Sequence, residues 1–497
     1  MYTNKLSNTC DVLITNASVV IPDKGIFPDT NILIDDGKIK KLLKSVDNVN
    51  AGKKINANGK YVLPGVIDPH VHYGVYTPIE KAATTESKSA SIGGVTTVIR
   101  MIRLNHTYKR IEQQLKASSG THYVDYAIHA SVFNFGQLDD IEYLKQKGIN
   151  SFKLYLNLGY DLNSIAMDQE PGSDGRVINE EVNITPELVI ATLKKASETS
   201  SIVLIHAEDS LICSQRIANA KERIEAQNYN EKPLKTWSDC RPPISEVKAI
   251  SLCCKYTRNL GCSTYFVHLG SRLAIERAAE EKKKSRTPGR IFIETCPHYL
   301  THSIEYDSIL GKVVPPLRTR EDVAFTWQAL ANGSIDTVGS DHVANTLSLK
   351  RGNRDLWSTL SGFPGVATLL PVLLSRGVNE GRIDLVKVSQ VTCYNTAKIF
   401  GMYPKKGTIE PGSDADLVIV DLSLRQKISP EILQSYSDYT IYDGWELDGW
   451  PVMTMVRGCV VMEDGKINES ALGHGQLVQR PQIVADRAPS FKVDYVK

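Results

Sequence analysis

The sequence lacks any apolar run long enough to span a bilayer. It also lacks the apolar core of a signal peptide: Met1-Tyr-Thr-Asn-Lys-Leu-Ser-Asn8 opens the chain on polar residues, and no cleaved leader is expected. An excess of one charge is missing too. Fifty-eight Lys and Arg against 56 Asp and Glu leave +2, which argues against a nucleic-acid or membrane surface. The one basic run, Glu281-Lys-Lys-Lys284, reads as a solvated helix end. None of the nine cysteines falls in Cys-x-x-Cys spacing, and most sit inside apolar runs. Buried, reduced thiols and a cytoplasmic location are expected.

What is present alternates. Residues 11–62 hold short strands joined by turns: Asp11–Ile14, Ala17–Ile21, Asn31–Ile34 and Lys38–Leu43. From 62 to 400, eight β-branched runs lie near 64–70, 95–101, 124–132, 150–156, 202–206, 264–269, 291–296 and 335–340. Amphipathic stretches lie between them, at 80–92, 106–118, 137–147, 185–199, 245–259, 271–284 and 320–332. Stretches 364–376 and 384–400 close the unit. Eight such repeats predict an α/β fold, a (β/α)8 TIM barrel over 62–400. Short strands return after Phe400, at Asp416–Val420, Thr440–Tyr442, Val452–Val456 and Cys459–Met462. Segments 1–61 and 401–470 are expected to pair into one β-sandwich domain. The tail, 471–497, is expected to stay loose or to wrap a neighbouring subunit.

Right-handed crossovers put every strand's C-terminal end on one face. Polar residues gather at those ends. Val62–Ile67 reads as one buried strand running into His70 and His72, and residues i and i+2 of a strand share a face. The fourth strand carries Lys153 inside an apolar run. The fifth ends at His206, the sixth at His268, and the eighth at Asp341. Each alone reads as a satisfied core residue; six at one end of a barrel do not. Four imidazoles and a carboxylate suit Zn2+, with Mn2+ or Fe2+ as alternatives. An ammonium cannot ligate a cation. Lys153 would do so only after burial depressed its pKa and it condensed with CO2, giving a carbamate able to bridge two ions.

These residues resemble the cyclic amidohydrolases: dihydropyrimidinases, hydantoinases, allantoinases and dihydroorotases. The resemblance covers nearly the whole chain and is carried by Pro64–His72, Gly93–Thr97, Ser151–Lys153, His206–Glu208, Val267–Leu269, Glu294–Leu300, Pro315–Arg318, Gly339–His342, Gly407–Leu417 and Tyr442–Pro451. It is closest to the dihydropyrimidinase and hydantoinase branch. It implies two divalent ions per subunit. His70, His72, Lys153 and Asp341 would hold one, and N6-carboxylated Lys153, His206 and His268 the other. It implies hydrolysis of a cyclic amide C–N bond by a metal-bridging hydroxide, with Asp341 as general base and then acid. The implied substrate is a dihydropyrimidine, hydantoin or related ureide, imide or lactam. Relatives are commonly homotetramers, so a tetramer or dimer is expected.

The substrate shell departs from that pattern. Gly74 stands where dihydroorotases carry an arginine for the substrate carboxylate. Leu158 stands where the hydantoinase branch has a tyrosine, flanked here by Tyr155 and Tyr160. Val314 replaces a serine, Ser361 an asparagine, and Val343-Ala-Asn345 the usual Ser-Pro or Cys-Pro after Asp-His. Arg103, Tyr155, Tyr160 and His342 are the candidate substrate contacts. Arg103 would pair with a substrate carboxylate or with a barrel acid. These departures keep an allantoinase, or another ring substrate bearing a carboxylate, as the alternative. Residues 157–184 read either as a lid or as a surface insertion. A deaminase is disfavoured by Lys153, and a non-catalytic dihydropyrimidinase-related scaffold by the retention of all six ligands.

Overall fold

The structure, a computed structural model, describes residues 9–46, 49–104, 106–227, 232–284, 290–353 and 355–480. Residues 1–8 and the part of the tail beyond 480 lie outside them.

Eight parallel strands form the barrel: Val66–His72, Val95–Ile102, Asp125–Ser131, Ser151–Tyr155, Ile202–His206, Ser263–Phe266, Ile291–Thr295 and a divided eighth. The eighth splits because its two halves pair with different neighbours. Thr337–Val338 pairs with the seventh strand, and His342–Val343 pairs with the first. The sheet thereby closes on itself. The first, second and third strands are buried at every position, as a parallel sheet covered on both faces requires. Helices such as Ile79–Ile92, Pro186–Glu198, Pro243–Leu260 and Arg272–Lys284 supply the cover. The fold is a TIM barrel accompanied by a β-sandwich.

The second sheet joins both ends of the chain. Tyr61–Pro64 lies between Thr9–Ile21 on one side and Leu417–Lys427 on the other. A separate apolar core, including Ile14, Val19, Ile32, Val62, Ile419 and Met455, fills this unit.

Three local expectations need correction. The apolar run 62–67 is not one strand. It divides at Gly65, with Tyr61–Pro64 in the sandwich sheet and Val66–His72 in the barrel. Gly65 packs so tightly on Thr96 that any β-carbon there would run into it. Thr440–Tyr442 is a turn rather than a strand, and the Tyr442 ring packs edge-on to His302 and Trp445. Helices Ser210–Gln227 and Pro233–Cys240 were not expected after the fifth strand. The stretch 157–184 contains a hairpin, Ser164–Met167 with Ile178–Glu181.

The described start of the tail docks under the barrel. Tyr126 N–H donates to Gln476 O, and Val478 N–H donates to Tyr126 O at 2.7 Å. A buried charge cluster fastens this corner. Lys406 Nζ sits among Asp125 (2.7 Å), Asp414 (3.2 Å) and Asp416, and Arg457 pairs with Asp125. Its cations already neutralise most of its carboxylates.

Candidate metal centre

At the C-terminal mouth of the barrel, His70 Nε2 lies 3.2 Å from His72 Nε2. Asp341 Oδ1 lies 3.2 Å from the first and 3.3 Å from the second. All three side chains are buried, with one ligand atom from each within 4.8 Å of the others. The His268 ring stacks on His70 at 5.3 Å between centroids, and His206 meets His268 edge-on at 4.5 Å. His268 and Asp341 both adopt left-handed backbone, with φ of 45° and 48°. Non-glycine residues seldom do so, and such strain concentrates at functional sites.

Carboxylates aim the rings. Glu294 Oε1 accepts from His70 Nδ1 at 2.8 Å and from the His268 backbone N–H at 2.9 Å, and its Oε2 accepts from Tyr265 Oη at 2.8 Å. His70 therefore turns Nε2 to the cluster. Glu208 Oε2 holds His206 Nε2 at 2.6 Å, leaving Nδ1 as the available nitrogen. Arg241 grips Glu208 through two bonds, at 3.0 and 2.8 Å, and lowers its carboxyl to about 2 against the opposing effect of burial. Asp68 Oδ1 accepts from the backbone N–H groups of His70 and Ser340, tying the first strand's end to the eighth's. This second ring of partners orients ligands in metal sites generally.

Burial keeps the four imidazoles neutral. It pushes His70 down to about 3 and His206 to about 4, and holds His72 and His268 well below their ordinary value. Each then has a lone pair to offer. Burial also brings the Lys153 amine down to about 7, so a neutral, nucleophilic fraction exists near neutral pH. Lys153 Nζ and His268 Nδ1 are both buried without a hydrogen-bond partner. Unsatisfied buried polar atoms are costly. A cation with a carbamate bridge would satisfy both, so the donor set fits divalent metal.

The mouth is lined from the second strand's exit. Arg103 Nε donates to Tyr155 Oη at 3.2 Å, and Arg103 Nη2 lies 3.0 Å from His72 Nδ1. Arg100, three residues earlier, donates to Tyr73 O at 2.8 Å and pairs with buried Asp168. A β-carbon at Gly74 (φ +91°) would strike that pair. Asp168 comes from the 157–184 stretch, which it anchors to the barrel.

Two of the named residues are not brought to the cluster. Tyr160 is 60% exposed on the outer rim. His342 Nδ1 accepts from the Gly365 and Val366 N–H groups, and its Nε2 lies 2.9 Å from Glu86 Oε2. It fastens a loop from beneath. Leu158 is buried. The supporting residues Glu294, Glu208, Arg241 and Asp168 were not among the sequence candidates. Glu208 could have been found, since it follows His206 by two. Arg241 lies on a distant turn and carries no local signal.

An amidohydrolase family model matches residues 61–461. The chain belongs to the amidohydrolase family. The L-hydantoinase of Paenarthrobacter aurescens is 31% identical over 493 residues, covering 96% of this chain and 100% of that enzyme. A D-phenylhydantoinase of Escherichia coli is 30% identical, over 95% of this chain and 99% of its own. Among solved structures, the L-hydantoinase (dihydropyrimidinase) of Arthrobacter aurescens superposes with a TM-score of 0.84 at 29% identity, over 95% of this chain and 100% of that one. No helix among the described residues of this amidohydrolase is long and apolar enough to cross a membrane.

Proposed function

We propose that this amidohydrolase is a binuclear metal hydrolase that opens the C–N bond of a cyclic amide. The observation that carries the reading is Lys153. Its amine is buried without a hydrogen-bond partner among the described residues, beside four neutral imidazoles and Asp341, in a chain whose full-length relatives include hydantoinases. His70, His72, Lys153 and Asp341 would hold one ion, and carboxylated Lys153, His206 and His268 the other, with zinc the first choice. When bound, such ions supply an activated water and a Lewis acid for the ring carbonyl.

The chain's own groups do the rest. Asp341 Oδ1, at the centre of the cluster, takes the proton of the attacking water and hands it to the leaving ring nitrogen. Burial raises its carboxyl above the ordinary value, which suits a group that must hold a proton briefly. Tyr155 Oη accepts from Arg103 Nε and keeps its own O–H to donate to the carbonyl oxygen as negative charge gathers there. The ring opens to a carboxylate and a nitrogen that leaves as an amine from a lactam, an amide from an imide or a carbamoyl group from a ureide.

Nine free thiols accord with a cytoplasmic location. A homotetramer or homodimer belongs to the same reading, and light scattering tests it. The functional test is metal content with acid release from dihydrouracil, hydantoins, allantoin, dihydroorotate, cyclic imides and lactams. Two equivalents of metal per chain and turnover of at least one ring are expected. Full activity in the presence of a strong chelator would end the reading.

A further inference from the structure

Two arginines leave the second strand, and only one has an acid. Asp168 Oδ1 pairs with the Arg100 guanidinium, while Asp168 Oδ2 accepts the backbone N–H of Arg103 at 2.6 Å. The Arg103 guanidinium has neutral partners instead: Tyr155 Oη at 3.2 Å, Ala166 O at 3.3 Å and His72 Nδ1 at 3.0 Å. It also lies over the Tyr155 ring, 5.4 Å from the centroid. Among the described residues no carboxylate comes within ion-pair reach of it. Arg103 is half-buried at the mouth, one imidazole ring away from the His70–His72–Asp341 cluster. A partly desolvated cation that faces no carboxylate attracts an anion, and more so beside divalent metal.

We propose that Arg103 anchors a carboxylate carried by the ring substrate, so that the preferred substrate is an anionic cyclic amide. The inference rests on the ring-opening reading and names its substrate class. The stereochemistry of the guanidinium supports it. Of five N–H donors, three are used in the contacts above, and the two left lie one on each terminal nitrogen. That is the number a bidentate carboxylate takes. A cation held at His72 Nε2 places the ring's proton on Nδ1, donor facing donor, so loading the cluster frees Arg103 Nη2 as well. The hairpin Ser164–Met167 with Ile178–Glu181 holds the guanidinium through Ala166 O, and Asp168, just past its first strand, holds the Arg103 backbone N–H, so the anchor is built before substrate arrives.

The test pairs rings that differ only in charge: hydantoin-5-acetate against hydantoin-5-acetamide, and dihydroorotate against dihydrouracil. Metal-loaded wild type, Arg103→Gln and Arg103→Lys are compared at equal measured metal content. Wild type should favour the anionic member in kcat/KM. Arg103→Gln should lower that preference by about 10- to 100-fold, chiefly through KM, and Arg103→Lys should restore part of it. Calorimetry adds a readout free of turnover: the ratio of orotate to uracil affinity should fall over the same range in Arg103→Gln. A merely structural role would depress both rings together and leave the ratios unchanged, and that result would overturn the inference. A wild-type preference for the neutral rings would overturn it too. Silence on every ring, charged or neutral, would instead overturn the hydrolytic reading, so the two failures are distinct.

Discussion

Glu294→Gln should move metal-free stability and metal affinity in opposite directions. Glu294 is fully buried, and its carboxylate accepts three bonds, from His70 Nδ1, the His268 N–H and Tyr265 Oη. A glutamine fits the same space. With its carbonyl oxygen at the Oε1 position both N–H donors stay satisfied. Its amide nitrogen then faces Tyr265 Oη, which turns its own proton to Thr337 Oγ1 at 2.6 Å. The geometry survives and the charge is lost. Burial raises the Glu294 carboxyl from 4.5 to about 7. A raised carboxyl contributes stability below the unfolded value of 4.5 and loses it as pH climbs through 7. At 1.36 kcal/mol per pH unit this makes about 3 kcal/mol of penalty in the ionised, metal-free protein. Removing it should stabilise the metal-free variant by up to about 3 kcal/mol at pH 8 and by little at pH 4.5. The same change strips the negative partner from His70 and makes it a poorer ligand. Metal affinity should drop about 10- to 100-fold, or about 1.4–2.7 kcal/mol. Urea unfolding of metal-free protein at both pH values, with chelator-competition titration of metal, measures the two quantities. A variant less stable than wild type at pH 8, or one that binds metal as tightly, would refute the reasoning.

Other outcomes follow from the same site. Arg241→Met leaves Glu208 buried without its cation and should cost about 3–5 kcal/mol in urea unfolding; adding Glu208→Gln should recover part of that. Lys153→Ala should lose one bound metal equivalent and ring-opening activity, with partial return when acetate or propionate is supplied; full activity without added acid would remove Lys153 from the ligand set. Tyr160→Phe should change kcat/KM by no more than about twofold, since the side chain stands in solvent on the rim; a larger loss would show that the rim closes over substrate.

The barrel was legible because its signal is local. Most strands are short apolar, often β-branched runs buried on both faces, and the cover helices repeat their apolar positions at helical spacing. The polar groups at strand ends stood out because they interrupt those runs. What was illegible lay where the pattern weakens. Ser210–Gln227 follows the fifth strand with mixed polarity, and its pattern and that of Pro233–Cys240 are too weak to announce helices before residue 245. Tyr442 belongs to the trio Thr440-Ile441-Tyr442, which has the residue types of a strand, yet its neighbours are the rings of His302 and Trp445. No spacing rule announces a turn packed on aromatic rings.

The sequence by itself determined the repeat of strand and helix, and with it the one face on which His70, His72, Lys153, His206, His268 and Asp341 had to emerge. Chirality and alternation are properties of every short segment, so they can be read one segment at a time. Only the tertiary structure decided which charges neutralise each other. Arg100 and Arg103 are three residues apart and alike in sequence. One Asp168 carboxylate, brought over from 65 residues away, takes the Arg100 guanidinium and only the backbone of Arg103. The pairing depends on where a hairpin lands on the barrel rim, and ion pairing reaches only a few ångströms, so no local pattern encodes it.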